Sequence, residues 1–423
     1  MKIRYLNLAA ALCGTLLSVP AALASLTLYE AVDIAIEQDT TRLQLDYQSQ
    51  ALRESAVAAG QWMDPKLKVG VGGLPVDSFS LNDDMMTSVS VGLMQTFSRG
   101  NTLALQESRG GIEADSMELA MELRALELSR TITELWIELY YLRQSHELLL
   151  SRQNLLERQH SEVTESYALG NKAEAEAVLA VEISQGRIEQ QLLANKQLQQ
   201  VQLARLTEWL GSDLASVDAS RLPQWPMLQQ MLQTPDRWPE QLLSHPSVRQ
   251  LDKLIELRAT DVDIANEAYK PEFGVEMMYG YRQAEDMGGR QASDLVSVSL
   301  TMDLPLFTNK RQDKRLNAAQ LNMVAGKAQR DTWLRQLHAE ITRLEQETTL
   351  TQQRIDTYQN QIIERSKARL ATVESSYESG FATFADVIQA SDELLTVEME
   401  LARVKADHHQ RLNQQAFYLN RYF

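Results

Sequence analysis

The sequence lacks most of what punctuates or crosslinks a chain. Its 423 residues include 18 Gly and 10 Pro, too few for the frequent turns of a compact α/β enzyme. Cys13 is the single cysteine, which excludes an intramolecular disulfide. After the first 24 positions no apolar run reaches the 18 or so residues of a membrane-spanning helix. A net charge of −16 leaves no basic face for nucleic acid. Six histidines are scattered, and the adjacent His408 and His409 cannot share a helix face, so they read as solvated helix surface. The Gly70–Gly73 stretch sits in a strand-like segment with no helix start after it, which rules out a phosphate loop. No nucleophile elbow gathers Ser, His and Asp. Neither a catalytic site nor a metal or cofactor site is expected.

The start of the chain is different. Lys2 and Arg4 precede an apolar run from Leu6 to Val19, and Ala22-Leu23-Ala24 has the small-x-small form of a cleavage site. Residues 1–24 read as a signal peptide. Lipidation at Cys13 is the competing reading, but Leu12 before it is too large for the usual lipobox. An exported chain without a spanning helix is either soluble or crosses a membrane as strands.

What the chain does have is an internal repeat. "YALGNKAEAEAVLA" from Tyr167 and "YESGFATFADVIQA" from Tyr377 align at an offset of 210 residues, pairing Gly170 with Gly380 and Glu176 with Asp386. Further back, Asp64-Pro65 matches Lys270-Pro271, Asp39-Thr40 matches His245-Pro246, and "SVSV" at Ser88 matches "SVSL" at Ser297. Residues 25–210 and 247–423 are therefore two copies of one unit. The stretch between them, 211–246, carries Pro223, Pro226, Pro235, Pro239 and Pro246 with Trp225 and Trp238. It reads as a small folded belt, since tryptophans seldom stay solvated.

Each copy contains two segments of period two, at about 66–95 and 272–304. Leu67, Val69 and Val71 alternate with lysine and glycine, as Val89, Val91 and Leu93 do with serine and glycine. In the second copy Phe273, Val275, Met277, Tyr279 and Tyr281 form one face, as do Val296, Val298, Leu300, Met302 and Leu304. These are strands with one apolar and one polar face. A half-buried sheet on a soluble domain is one reading. Membrane strands are the other: Lys66, Lys68, Glu276 and Asp303 would face a wet lumen, with aromatic residues at the strand ends as a girdle. Four strands cannot close a barrel, but three chains would supply twelve.

Proline-free stretches rich in Leu, Glu, Gln and Arg fill the rest: 101–167, 171–210, 310–377 and 383–421. A helix of about 66 residues would be about 100 Å long. Each Tyr-x-x-Gly falls where one long helix reverses into the next, near 167–171 and 377–381, and glycine suits the left-handed position there. Thr383 is the expected N-cap of the return helix, with Asp386 favourable in its first turn.

With the order strand hairpin, long helical hairpin, belt and the same again, the chain resembles the TolC-like outer-membrane efflux family over its whole exported length. "YESGFATFADVIQA" is the most specific piece. The resemblance implies a fold that is mainly α: antiparallel hairpins forming a helical tunnel, with four strands per chain in a twelve-stranded barrel. It implies a homotrimer in outer-membrane lipid, acting as passive exit duct for an inner-membrane pump reached through a periplasmic adaptor. Tyr167, Gly170, Tyr377 and Gly380 would then be adaptor-docking tips. Asp386 matches a pore-narrowing acidic position, with Gln389 where some members have a second aspartate and Glu176 as the first-copy counterpart. A plain helix-terminal charge is the alternative for Asp386, and the two roles can coexist.

The stretch from Asp64 to Phe97 resembles members that serve heavy-metal pumps of the resistance-nodulation-division type. Met85-Met86 and Met277-Met278 would suit soft ions, but neighbours in a strand face opposite ways, which favours packing. Ducts for drugs, detergents or secreted proteins remain alternatives. So does a periplasmic coiled-coil scaffold, though an adaptor would carry one hairpin in a β-rich domain rather than two.

Overall fold

A computed structural model describes residues 26–169, 175–211, 217–286 and 288–422; the expected signal peptide and Gly170 lie outside them. The first copy consists of α1 (Leu28–Gln38), α2 (Thr40–Ala59), β1 (Lys66–Gly72), β2 (Ser88–Phe97), α3 (Thr102–Ala168) and α4 (Ala175–Leu210). Two short helices follow, α5 (Pro226–Leu232) and α6 (Trp238–Leu243), joined by a 3₁₀ turn. The second copy consists of α7 (Pro246–Glu267), β3 (Phe273–Tyr281), β4 (Leu295–Met302), α8 (Gln312–Thr357), α9 (Ile363–Glu378) and α10 (Phe384–Tyr418). A π turn, Tyr358–Ile362, joins α8 to α9 without a break. No described helix is long and apolar enough to cross a membrane.

The aligned pair Asp39 and His245 occupies equivalent places, as N-caps of α2 and α7. Asp39 accepts from the Arg42 amide at 2.9 Å, and His245 Nδ1 accepts from the Ser247 amide at 3.3 Å. Each satisfies a first-turn donor that has no partner within the helix. Asp39 also receives two hydrogen bonds from Arg124 on α3, at 2.9 and 3.1 Å. Gly110 on α3 is a packing glycine: a Cβ there would lie 2.5 Å from the Ala56 Cβ on α2.

The four strands form one antiparallel sheet in the order β1-β2-β3-β4, so the two copies join through β2 and β3. Register aligns Leu67, Leu93, Met277 and Val298 in one row and Val69, Val91, Tyr279 and Val296 in the next. All of these side chains are exposed.

The helices bury their seams in separate clusters. Around mid-length, Trp225, Leu228, Trp238 and Leu242 of the belt pack with Ile137, Leu337, Ile341 and Phe417. The belt is thus folded against the helices, as its tryptophans predicted. Toward the tips, Leu149, Leu156 and Val163 of α3 meet Val181 and Ile188 of α4 and Phe384 and Ile388 of α10.

Two expectations need correction. His408 and His409 are partly buried rather than solvated; His409 lies against Trp225, with ring centroids 6.4 Å apart. Burial pushes both imidazoles below their ordinary value. The belt covers His409 and Thr351 of α8 lies 3.2 Å from His408, neither of which helix periodicity alone could reveal. Second, β4 stops at Met302, so Asp303 is not a strand residue. Its carboxylate takes the Glu272 amide at 3.0 Å, and Pro305 follows with no amide hydrogen to continue a ladder.

Candidate functional site

Among the described residues, two places carry chemistry beyond packing: the polar face of the sheet and the pair of helical tips. On the sheet, alternation puts Lys66, Lys68, Ser88, Ser90, Gly92, Glu276, Ser297 and Ser299 on the face opposite the apolar one. Lys68 Nζ lies 2.8 Å from Glu276 Oε2, so these two expected lumen residues meet across β2. They sit beside Gly92, the residue opposite Lys68, which leaves room for the crossing. Lys66 shares that face two residues away. Asp303 instead pairs with Arg99 just below the strands, and Arg99 also donates to the Ala268 carbonyl at 3.1 Å. This pair closes the junction where strands become helices.

At the second tip the chain reverses through Gly380, whose φ of +77° is left-handed. The Phe381 amide donates to the Ser376 carbonyl at 2.8 Å, closing the turn. Tyr377 and Phe384 then meet edge to face at 5.4 Å across the reversal. Thr383 caps α10 in a reciprocal box: Asp386 Oδ2 accepts from the Thr383 amide at 2.8 Å and from its hydroxyl at 2.7 Å. The Thr383 hydroxyl and then its amide hold the Asp386 carboxyl below its ordinary value.

Glu176 comes close to this turn, lining one cleft with Tyr377, Gly380, Thr383 and Phe384. Gln389 donates to Glu393 at 3.1 Å, and Glu393 in turn pairs with Arg369 on α9. Asp386, Gln389 and Glu176 therefore lie at one end of the molecule. Tyr167 is half exposed at the other tip.

Sequence reasoning missed three residues here. Leu169 and Phe381 adjoin the two turn positions and are 84% and 91% exposed. An apolar residue beside each turn glycine was the available signal. Arg152, buried on α3, binds Asp392 on α10 through Nε at 3.0 Å and Nη2 at 2.7 Å. Nothing in a charged helical sequence distinguishes that arginine from its neighbours.

Residues 238–421 match the family model described as outer membrane efflux protein. The match runs from α6 through α10. The TolC-like fold extends over nearly the whole chain. The outer membrane protein VceC of Vibrio cholerae superposes with a TM-score of 0.72 at 17% identity, covering 94% of this chain and 96% of that one. CusC gives 0.74 at 12% identity, covering 93% and 91%. The MtrE outer membrane channel of Neisseria gonorrhoeae, in its open state, gives 0.68 at 15%, covering 93% and 88%. Among curated proteins none matches the sequence. The TolC-like architecture explains why helices of this length flank so small a sheet.

Proposed function

We propose that the chain is one third of a trimeric outer-membrane duct, the passive exit of an efflux system driven by an inner-membrane pump. The observation that carries this reading is the sheet. It exposes a continuous apolar face, and β1 and β4 are edges with no partner among the described residues. In lipid every backbone group must be paired, so an open sheet is excluded and β4 must join β1 of another copy. Three copies give twelve strands, a closed barrel with Lys66, Lys68 and Glu276 in its lumen.

Below the barrel the helices continue the duct through the periplasm, after removal of residues 1–24 as a signal peptide. The tips at Tyr167–Gly170 and Tyr377–Gly380, with exposed Leu169 and Phe381, form the adaptor-docking end. Asp386 with Gln389 and Glu176 narrows the mouth there. A metal cargo, driven by a pump of the resistance-nodulation-division type, rests on the resemblance of the Asp64–Phe97 stretch. Survival of a deletion strain on copper, silver, zinc and cobalt salts, beside drugs and bile salts, decides the cargo.

The duct itself is tested by purification in detergent. The expected result is a mass of three chains and stepwise conductance in planar bilayers. A monomer that forms no conducting steps overturns it.

A further inference from the structure

The two open edges of the sheet share a feature at the end nearest the helices. Just before β1, Trp62 and Met63 are 69% and 48% exposed; just after β4, Leu304, Leu306 and Phe307 are 59%, 72% and 90% exposed. We propose that these are two halves of a clasp between copies of this chain, in which Leu304, Leu306 and Phe307 of one copy seat on Trp62 and Met63 of the next. The proposal rests on the duct reading and deepens it, because it gives the barrel joint a side-chain lock beneath its hydrogen-bonded ladder.

Register supports the pairing. Phe97, Phe273 and Met302 form the lowest row of β2, β3 and β4, whereas β1 begins at Lys66, opposite Met94 and three residues higher. Barrel closure requires stagger from strand to strand. With β2, β3 and β4 flush at that row, the joint between copies has to supply stagger, and the clasp takes it in the sense that sets the next copy's Lys66 below Met302. Its Met63 and Trp62 then run alongside Leu306 and Phe307. Pro65 and Pro305 sit in these two stretches and lack amide hydrogens. A regular ladder cannot extend through them, so contact there has to come from side chains.

Both halves are held in place before they meet. Trp62 stands edge-on to Phe97 with ring centroids 5.5 Å apart, and the Met63 carbonyl accepts from Gln95 Nε2 at 2.8 Å. On the other side Asp303 is fixed by Arg99 and by the Glu272 amide, and the Leu306 amide donates to the Leu304 carbonyl at 2.8 Å. Parts ordered in advance lose little entropy on association. Membrane lipid is the competing occupant of these side chains, and the test separates the two.

The full chain carrying Cys13→Ser, Trp62→Cys and Phe307→Cys is oxidised in native membranes and run on a non-reducing gel. The clasp predicts a covalent ladder up to three chains, absent from either single-cysteine variant. An intact trimeric mass with no ladder, and both cysteines labelled by a lipid-soluble maleimide, overturns the clasp and leaves the duct standing. A single-chain mass for the unsubstituted protein overturns both. As a second check, Phe307→Ala lowers the temperature at which the trimer dissociates in detergent and Phe307→Trp preserves it; equal dissociation temperatures for all three proteins overturn the clasp.

Discussion

Thr383 and Asp386 hold each other: the threonine hydroxyl and amide both donate to one carboxylate oxygen, at 2.7 and 2.8 Å. The same aspartate lies at the helical tip where a pore constriction is proposed. A cap and a gate charge make different predictions. If capping is the whole role, Thr383→Ala and Asp386→Ala accelerate amide exchange over 384–388 to the same degree. A gate charge adds a second effect confined to Asp386→Ala, namely higher closed-state conductance and weaker block by multivalent cations. We expect both effects, and unchanged block in Asp386→Ala would remove Asp386 from the gate. The carboxyl is held below its ordinary value of 3.8. A group shifted down contributes fully above that value and loses its contribution as pH falls through the folded value. Amide protection at the tip, exchange divided by its intrinsic rate at each pH, should therefore stay flat from neutral pH to about 5 and fall only in stronger acid.

At Gly380 a side chain would meet no atom within 4 Å, yet φ is +77°. Gly380→Val therefore costs backbone strain alone, about 1–2 kcal/mol. Gly380→Asn should cost less, because asparagine visits this region more readily. Amide exchange across 377–386, with efflux measured beside it, orders the variants Gly, Asn, Val. Full efflux and native exchange in Gly380→Val would show that the turn tolerates rearrangement.

The tie between Arg152 and Asp392 is asymmetric, with side chains 3% and 38% exposed. Removing the arginine frees a carboxylate already touching water. Removing the aspartate strands a buried guanidinium, a change that approaches the roughly 3–5 kcal/mol of a broken buried pair. Denaturant midpoints should therefore fall further for Asp392→Ala than for Arg152→Met, and the reverse order would refute the assignment.

His245 caps α7 from a buried site, where loss of solvent pushes its imidazole down to about 4. The unfolded chain takes up this proton near 6.5 and the folded one only near 4. Stability from this group is thus complete above 6.5 and declines as pH falls between those values. The loss is about 3 kcal/mol at 1.36 kcal/mol per unit. His245→Asn retains a capping side chain, so its melting temperature should fall less between pH 7 and pH 4 than the parent's. Parallel melting curves would indicate that other groups carry the acid sensitivity.

The architecture was readable because its signals are long and redundant. Proline-free stretches predicted α3, α4, α8 to α9, and α10 to within a few residues. Strict alternation predicted which strand residues share a face, and the duplicated Tyr-x-x-Gly located the tips. Thr383 was legible as a cap because capping is a local, four-residue matter. What failed to show were contacts between distant segments. The belt folding over His409, Arg152 reaching α10 and Asp303 turning back to Arg99 all depend on where chains 100 residues or more apart come to lie. The π turn at 358–362 left no mark either, since no proline or glycine accompanies it.

The unfinished edges of the sheet also constrain how the protein is made. A single copy displays an apolar face beside two rows of unpaired amides and carbonyls, so it can neither enter hydrocarbon alone nor remain long in water without sticking. Assembly has to precede or accompany insertion. The yield of inserted protein should then climb more steeply than in proportion to the supply of exported chains, and any factor that shields β1 and β4 in transit sets the rate. In the proposed trimer, the strands that close the duct also ration how many ducts a cell can build.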